Sequence, residues 1–201
     1  MERKPIITFL GPSGIGKTTM AKWVSETYDI PFVTGSYSDL VPSTRKLSHR
    51  EMMGLDTHTQ FKQDLELIKA RIDSYKAHRN GMVSDRSLID VFAYALLKYS
   101  NKVPACDIDT IQDWVSMNLY LVDLVIFMPY SIGDEWSFED NGKRVVNPYF
   151  QAMVSTIMDM VLVEVNAITT INFKVLTVGS LEYRREALGY ILDNFLEKWQ
   201  K

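Results

Sequence analysis

The segment Gly11-Pro-Ser-Gly-Ile-Gly-Lys-Thr18 satisfies the spacing G-x-x-x-x-G-K-[ST] in full. Glycines at these positions let backbone N–H groups turn inward around phosphate oxygens, the lysine reaches the terminal phosphates, and the hydroxyl serves Mg²⁺. Gly11, Ser13, Gly14, Ile15, Gly16, Lys17, Thr18 and Thr19 are therefore read as a cradle for ATP, with Mg²⁺ as the accompanying ion. An apolar run, Ile6–Leu10, precedes the loop, and "MAKWVSETY", spaced like a helix, follows it. A strand thus delivers the loop, and a helix directs its positive end at the bound anion.

A second stretch, "GMVSDRS", places Asp85 and Arg86 at the carboxyl end of a short apolar run, where ligands sit on an open α/β sheet. Phosphoryl transfer needs positioned phosphates, a metal, a group that orients the acceptor, and positive charge for the transition state. Asp85 can accept a hydroxyl proton or hold the metal together with Thr18, and Arg86 can bind a phosphate or stabilise developing charge. A motor ATPase calls for an Asp-Glu pair at the end of such a strand, whereas Asp85 is followed by Arg. A GTPase calls for Asn-Lys-x-Asp, and the only Asn-Lys pair runs Asn101-Lys102-Val103-Pro104. A nucleotide-hydrolysing switch or motor is thereby the least favoured reading.

Positioning such residues requires alternating strands and helices. Apolar runs at 6–10, 30–34, 82–84, 124–128 and 174–178 predict five parallel strands. Between them, Phe61, Leu65, Ile68, Ile72 and Tyr75 follow helical spacing, with Thr57 and Gln60 placed as a capping box. Further helices are predicted from Ser87, from Asp107, from Asn147-Pro148 as cap and first residue, and from Leu181 to Trp199. The expected architecture is an α/β three-layer sandwich, a five-stranded parallel sheet with helices on both faces. Two connections, 35–56 and 129–147, are long enough to be functional.

With 201 residues, one domain spanning 1–201 is expected. A net charge of −3 argues against a nucleic-acid binder that relies on counterion release. The single cysteine, Cys106, excludes an internal disulfide and fits a reducing cytoplasm. No apolar segment reads as a membrane span, because acidic residues and Asn interrupt each one. The three histidines, His49, His58 and His78, lack metal-ligand spacing, the methionines read as core filling, and Arg184 and Arg185 read as surface charge at a helix start.

"GPSGIGKTT" together with "SDRSLIDVFAY" resembles the P-loop nucleoside and nucleoside-monophosphate kinases, thymidylate-kinase-like proteins in which the loop is paired with an Asp-Arg or Glu-Arg-Ser element. "SDRSLIDVFAYAL", "DLVIFMPY" and "DNGKRVVNPYFQ" are similar to the AAA-like ATP-binding kinases carried by bacteriophages. The likeness runs from residue 6 to about residue 150. It implies a lid at about 131–147 that closes over ATP and contributes Arg144, with Lys143 as the other candidate. It also implies an acceptor-binding region at about 35–56, where Tyr37 would stack on a base and Arg45, Lys46 or Arg50 would meet a phosphate.

The function implied is transfer of the γ-phosphoryl group of ATP to a nucleoside or (deoxy)nucleoside monophosphate, with Lys17, Asp85, Arg86 and Arg144 as the catalytic set. The alternative is a kinase of a hydroxymethylated base in phage DNA, similar to a 5-hydroxymethyluridine DNA kinase, and only there would nucleic acid be a partner. A homodimer is compatible with either.

Overall fold

The structure is a computed structural model that describes residues 3–42, 51, 54–99, 101–130, 147–177 and 179–199, with the side chains at 105 and 106 left aside. Among the described residues four parallel strands form one sheet: β1 (Ile6–Leu10), β2 (Met82–Ser84), β3 (Leu124–Phe127) and β4 (Phe173–Val175), in the order β2-β1-β3-β4. Every residue of β1 and β3 is buried, the pattern of central strands covered on both faces. Side chains alternate across β1, so Ile6 and Leu10 enter one core and Ile7 and Phe9 the other.

The first core is closed by α3 (Thr57–Ala77), α4 (Leu88–Tyr99), α5 (Ala105–Asn118) and α6 (Pro148–Thr169). The second is closed by α1 (Lys17–Tyr28) and α7 (Leu181–Trp199). This is the expected three-layer α/β arrangement, with one difference. The strand predicted at 30–34 is reduced to a single parallel bridge, Phe32 to Val83. Its hydrogen bonds are Val83 N–H to the Pro31 carbonyl, 2.8 Å, and Val33 N–H to the Val83 carbonyl, 2.9 Å. Pro31 has no N–H to add, and the Gly35 N–H goes to the Asp85 side chain instead of a neighbouring strand. A short helix, α2 (Tyr37–Leu40), follows directly.

Helix starts are set by side-chain caps. At α3 the cap is Asp56, one residue earlier than the predicted Thr57, and its carboxylate accepts from Thr59 N–H at 3.0 Å and Thr59 Oγ1 at 2.6 Å. At α4, Ser87 Oγ accepts from Ile89 N–H while Asp90 Oδ2 accepts from Ser87 N–H, a reciprocal box. At α6, Asn147 Oδ1 accepts from Tyr149 and Phe150 N–H, and Pro148 occupies the first turn as expected. By length and composition alone α6 is apolar enough to cross a membrane, although Asp159, Glu164 and Asn166 interrupt it. Its inward face, Val154, Met158, Val161, Leu162 and Val165, is packed into the first core.

Replacing the α6 cap, Asn147→Ala, leaves two N–H donors without their acceptor and is expected to cost about 1 kcal/mol. For a chain of this size that is a drop of about 2–4 °C in Tm, measured by thermal unfolding, with Asn147→Asp retaining most of the stability.

Candidate active site

Parallel register decides which groups meet. Thr8 of β1 lies opposite Ser84 of β2, so the loop after β1 and the residues after β2 leave the same edge of the sheet. In the loop, Gly14 and Gly16 take φ of +91° and +86°, values that side-chain-bearing residues rarely adopt. Gly16 is also the residue from which α1 starts. Ile15 is buried in the second core and anchors the loop from beneath. Lys17 is only 4% exposed, and its ammonium donates to the carbonyls of Gly11 at 2.6 Å and Pro12 at 2.5 Å. Thr18 and Thr19, on the first turn of α1, face solvent.

Asp85 is the point of convergence. Its Oδ2 accepts the Thr18 hydroxyl at 2.6 Å, and its Oδ1 accepts the Gly35 N–H at 2.9 Å. The structure therefore brings together Thr18 and Asp85, 67 residues apart in the chain. A hydroxyl and a carboxylate oxygen suit Mg²⁺, which prefers oxygen ligands, keeps several waters and completes its shell with substrate phosphates. The residues present fit that ion.

Arg86 turns toward α4, with Nη1 3.7 Å from Asp90 Oδ1. Burial works against its charge, but Asp90, Tyr94 and Asp85 together outweigh it and hold its pKa above the ordinary value. Burial and the Asp90 charge raise the pKa of the nearby Tyr94, and the Arg86 guanidinium and the Ser13 N–H oppose the rise. Arg86 is thus paired with the first turn of α4.

Tyr37 lies on α2, its hydroxyl 3.5 Å from Gln63 Oε1 and its ring beneath the Lys98 ammonium. It borders a buried group on α3 and α4 in which Asp64 accepts from Lys98 Nζ at 2.9 and 3.0 Å and from the Tyr99 hydroxyl at 2.7 Å. Burial and the nearby Asp64 carboxylate raise the pKa of Tyr37, so its phenol stays protonated. Arg45, Lys46, Arg50, Lys143 and Arg144 lie outside the described residues.

Two buried arginines escape the sequence reading. Arg184, expected as surface charge, is 5% exposed; its Nη1 donates to the Ile15 carbonyl and its Nε to the Gly179 carbonyl, both at 3.0 Å. Arg185 is exposed and, with Thr18, Thr19, Lys22, Trp23 and Glu26, lines a cleft of 260 Å³ beside the loop. Arg71, in the middle of α3, is 4% exposed and donates to the carbonyls of Ser87 and Gly35. Its signal was present: Asp64, Ile68, Arg71 and Tyr75 repeat at helical spacing along the inward face.

The strand–loop–helix cradle and the carboxylate opposite it define a P-loop protein with the fold of the nucleoside and nucleoside-monophosphate kinases. The chain belongs to the AAA domain family, whose model matches residues 6–184. Deoxyadenosine kinase from M. mycoides, solved with bound dCTP, superposes with a TM-score of 0.67 at 18% identity, covering 94% of this chain and 98% of that one. Thymidylate kinase from Candida albicans gives 0.66 at 16% identity over 96% and 92% of the two chains. NadR, solved with NAD and AMP-PNP, gives 0.65 at 17% identity over 94% of this chain and 49% of its own. Among the curated proteins none matches.

Removing the one ammonium held in the cradle tests its use. Lys17→Ala is expected to lower any ATP turnover by about 10²-fold or more, followed as ADP release, with an unchanged circular-dichroism spectrum showing that the fold survives.

Proposed function

We propose that this protein is an ATP-dependent phosphotransferase that moves the γ-phosphoryl group to a nucleoside or nucleoside monophosphate in the cytoplasm. The observation that carries the proposal is the 2.6 Å contact between Thr18 Oγ1 and Asp85 Oδ2, which sets a carboxylate against the hydroxyl of the phosphate loop. A hydroxyl and a carboxylate so placed hold the metal in P-loop nucleotide-binding proteins generally, and the Arg86 that follows Asp85, where a motor carries Glu, supports transfer. A transferase needs a group there that can share the metal and face the acceptor.

The backbone N–H groups of residues 13–19 and the Lys17 ammonium bind the phosphates. Thr18 and Asp85 would hold Mg²⁺, which neutralises charge on the transferring group when bound. The acceptor is assigned to the region 35–56 beside the Asp85-Arg86 element, beyond Gly35, which is itself closed against that element. There Asp85 takes up the hydroxyl proton of a nucleoside, or orients the phosphate of a monophosphate, and Arg86 fixes the acceptor. Tyr37, Arg45 and Arg50 belong to the acceptor side, while Arg144 and its segment supply charge and exclude water, against which an acceptor must compete. The resemblance to kinases supports the reading of these last residues.

The test incubates the protein with labelled ATP and Mg²⁺ and a panel of nucleosides, nucleoside monophosphates and DNA carrying a hydroxymethylated base. Label in one of the first two pools is expected. Label in the DNA assigns the protein to base modification instead, and ADP release without a labelled acceptor overturns the transferase. Asp85→Asn is expected to keep ATP affinity within about threefold while transfer falls by about 10³-fold; retained transfer removes Asp85 from its role.

A further inference from the structure

Arg71 is a buried cation for which no ion pair is found among the described residues. Burial pulls its pKa down and outweighs the opposing charges of Asp90 and Asp85, neither of which reaches it as an ion pair. Its Nε is buried without a hydrogen-bond partner. Its two terminal nitrogens are spent on backbone: Nη1 on the Ser87 carbonyl and Nη2 on the Gly35 carbonyl at 2.9 Å. A planar fork of donors suits two acceptors on different segments, and these two segments flank Asp85. Ser87 lies two residues beyond it, and Gly35 donates its own N–H to Asp85 Oδ1.

Gly35 itself is held by contact. A Cβ on this residue would lie 2.4 Å from Arg86 Cβ and 2.9 Å from Ser84 Oγ, so the chain is pressed against the end of β2. Arg71 grips the carbonyl side of the same residue, while its amide side meets Asp85. Losing that amide would free one carboxylate oxygen and let the side chain turn away from Thr18.

We propose that Arg71 is a positioning residue for phosphoryl transfer: by fixing the carbonyls of Gly35 and Ser87 it keeps the Gly35 N–H on Asp85 Oδ1 and so presents Oδ2 to Thr18 and the metal. This rests on the transferase reading for its effect on turnover, but the clamp itself is a property of the protein alone.

Arg71→Met retains the length of the side chain and removes its donors. In ¹⁵N-labelled protein without nucleotide, the exchange of the Gly35 amide is expected to accelerate at least about tenfold, while amides of β1 keep their protection. In the transfer assay kcat is expected to fall about 10–100-fold with KM for ATP within about twofold. Val165→Ala, a cavity in the core under α6, serves as the comparison and is expected to lower Tm with kcat unchanged. If Arg71→Met does not fold, Arg71→Lys is measured the same way, because one ammonium cannot span both carbonyls as the fork does. Unchanged Gly35 exchange overturns the clamp, and unchanged kcat, or a kcat loss shared by Val165→Ala, overturns the positioning role. A wild-type protein that transfers to no acceptor overturns the functional reading instead, and the exchange measurement then decides the clamp by itself.

Discussion

The site depends on how a nearly buried carboxylate satisfies its oxygens. Asp85 is 7% exposed and takes one hydrogen bond from Thr18 and one from Gly35. Those donors come from the start of α1 and from the segment leaving Phe32, so three stretches of chain must reach the same point. Parallel pairing makes this possible. β1 and β2 run side by side in register, about 4.8 Å apart, and their carboxyl ends release the phosphate loop and Asp85 on one edge. Had β2 paired antiparallel, Asp85 would have emerged at the opposite edge.

The loops at this edge are held by cations that bond to backbone carbonyls. Lys17 takes the carbonyls of Gly11 and Pro12, Arg184 that of Ile15, and Arg71 those of Gly35 and Ser87. In a trans peptide the carbonyl and the next N–H point in opposite directions. Fixing the Ile15 carbonyl against Arg184 therefore turns the Gly16 N–H away from α7 and toward the cradle. The arginine at the start of α7 and the one within α3 act on opposite sides of the site in the same manner: each fixes the direction of a backbone dipole and leaves the ligand-facing groups free.

Local signals in the sequence were enough to place the cradle, since eight contiguous residues carry it and the flanking strand and helix are themselves contiguous. The central strands were equally legible, because residues buried on both faces form unbroken apolar runs. The run at 30–34 is also apolar but pairs only at Phe32, since its Pro31 lacks a donor and the Gly35 donor is diverted to Asp85. That diversion is a tertiary event, invisible to a window of neighbours. Arg184 was hidden for a related reason. In the sequence it stands beside Arg185 at a helix start, and only the packing of α7 against the loop separates the buried side chain from the exposed one.

Charge near Asp85 is nearly balanced within the described residues. Asp85 and Asp90 offset Arg71 and Arg86, and Lys98 is matched by Asp64. The balance has a consequence for the proposed reaction, because a transferring phosphoryl group brings negative charge that Lys17 alone does not match. Beside the loop, Lys22 and Arg185 line the cleft with Thr18 and Thr19 and add positive charge there. A carbonyl orients a cation without neutralising it, so the Lys17 charge still acts on a phosphate bound in the loop.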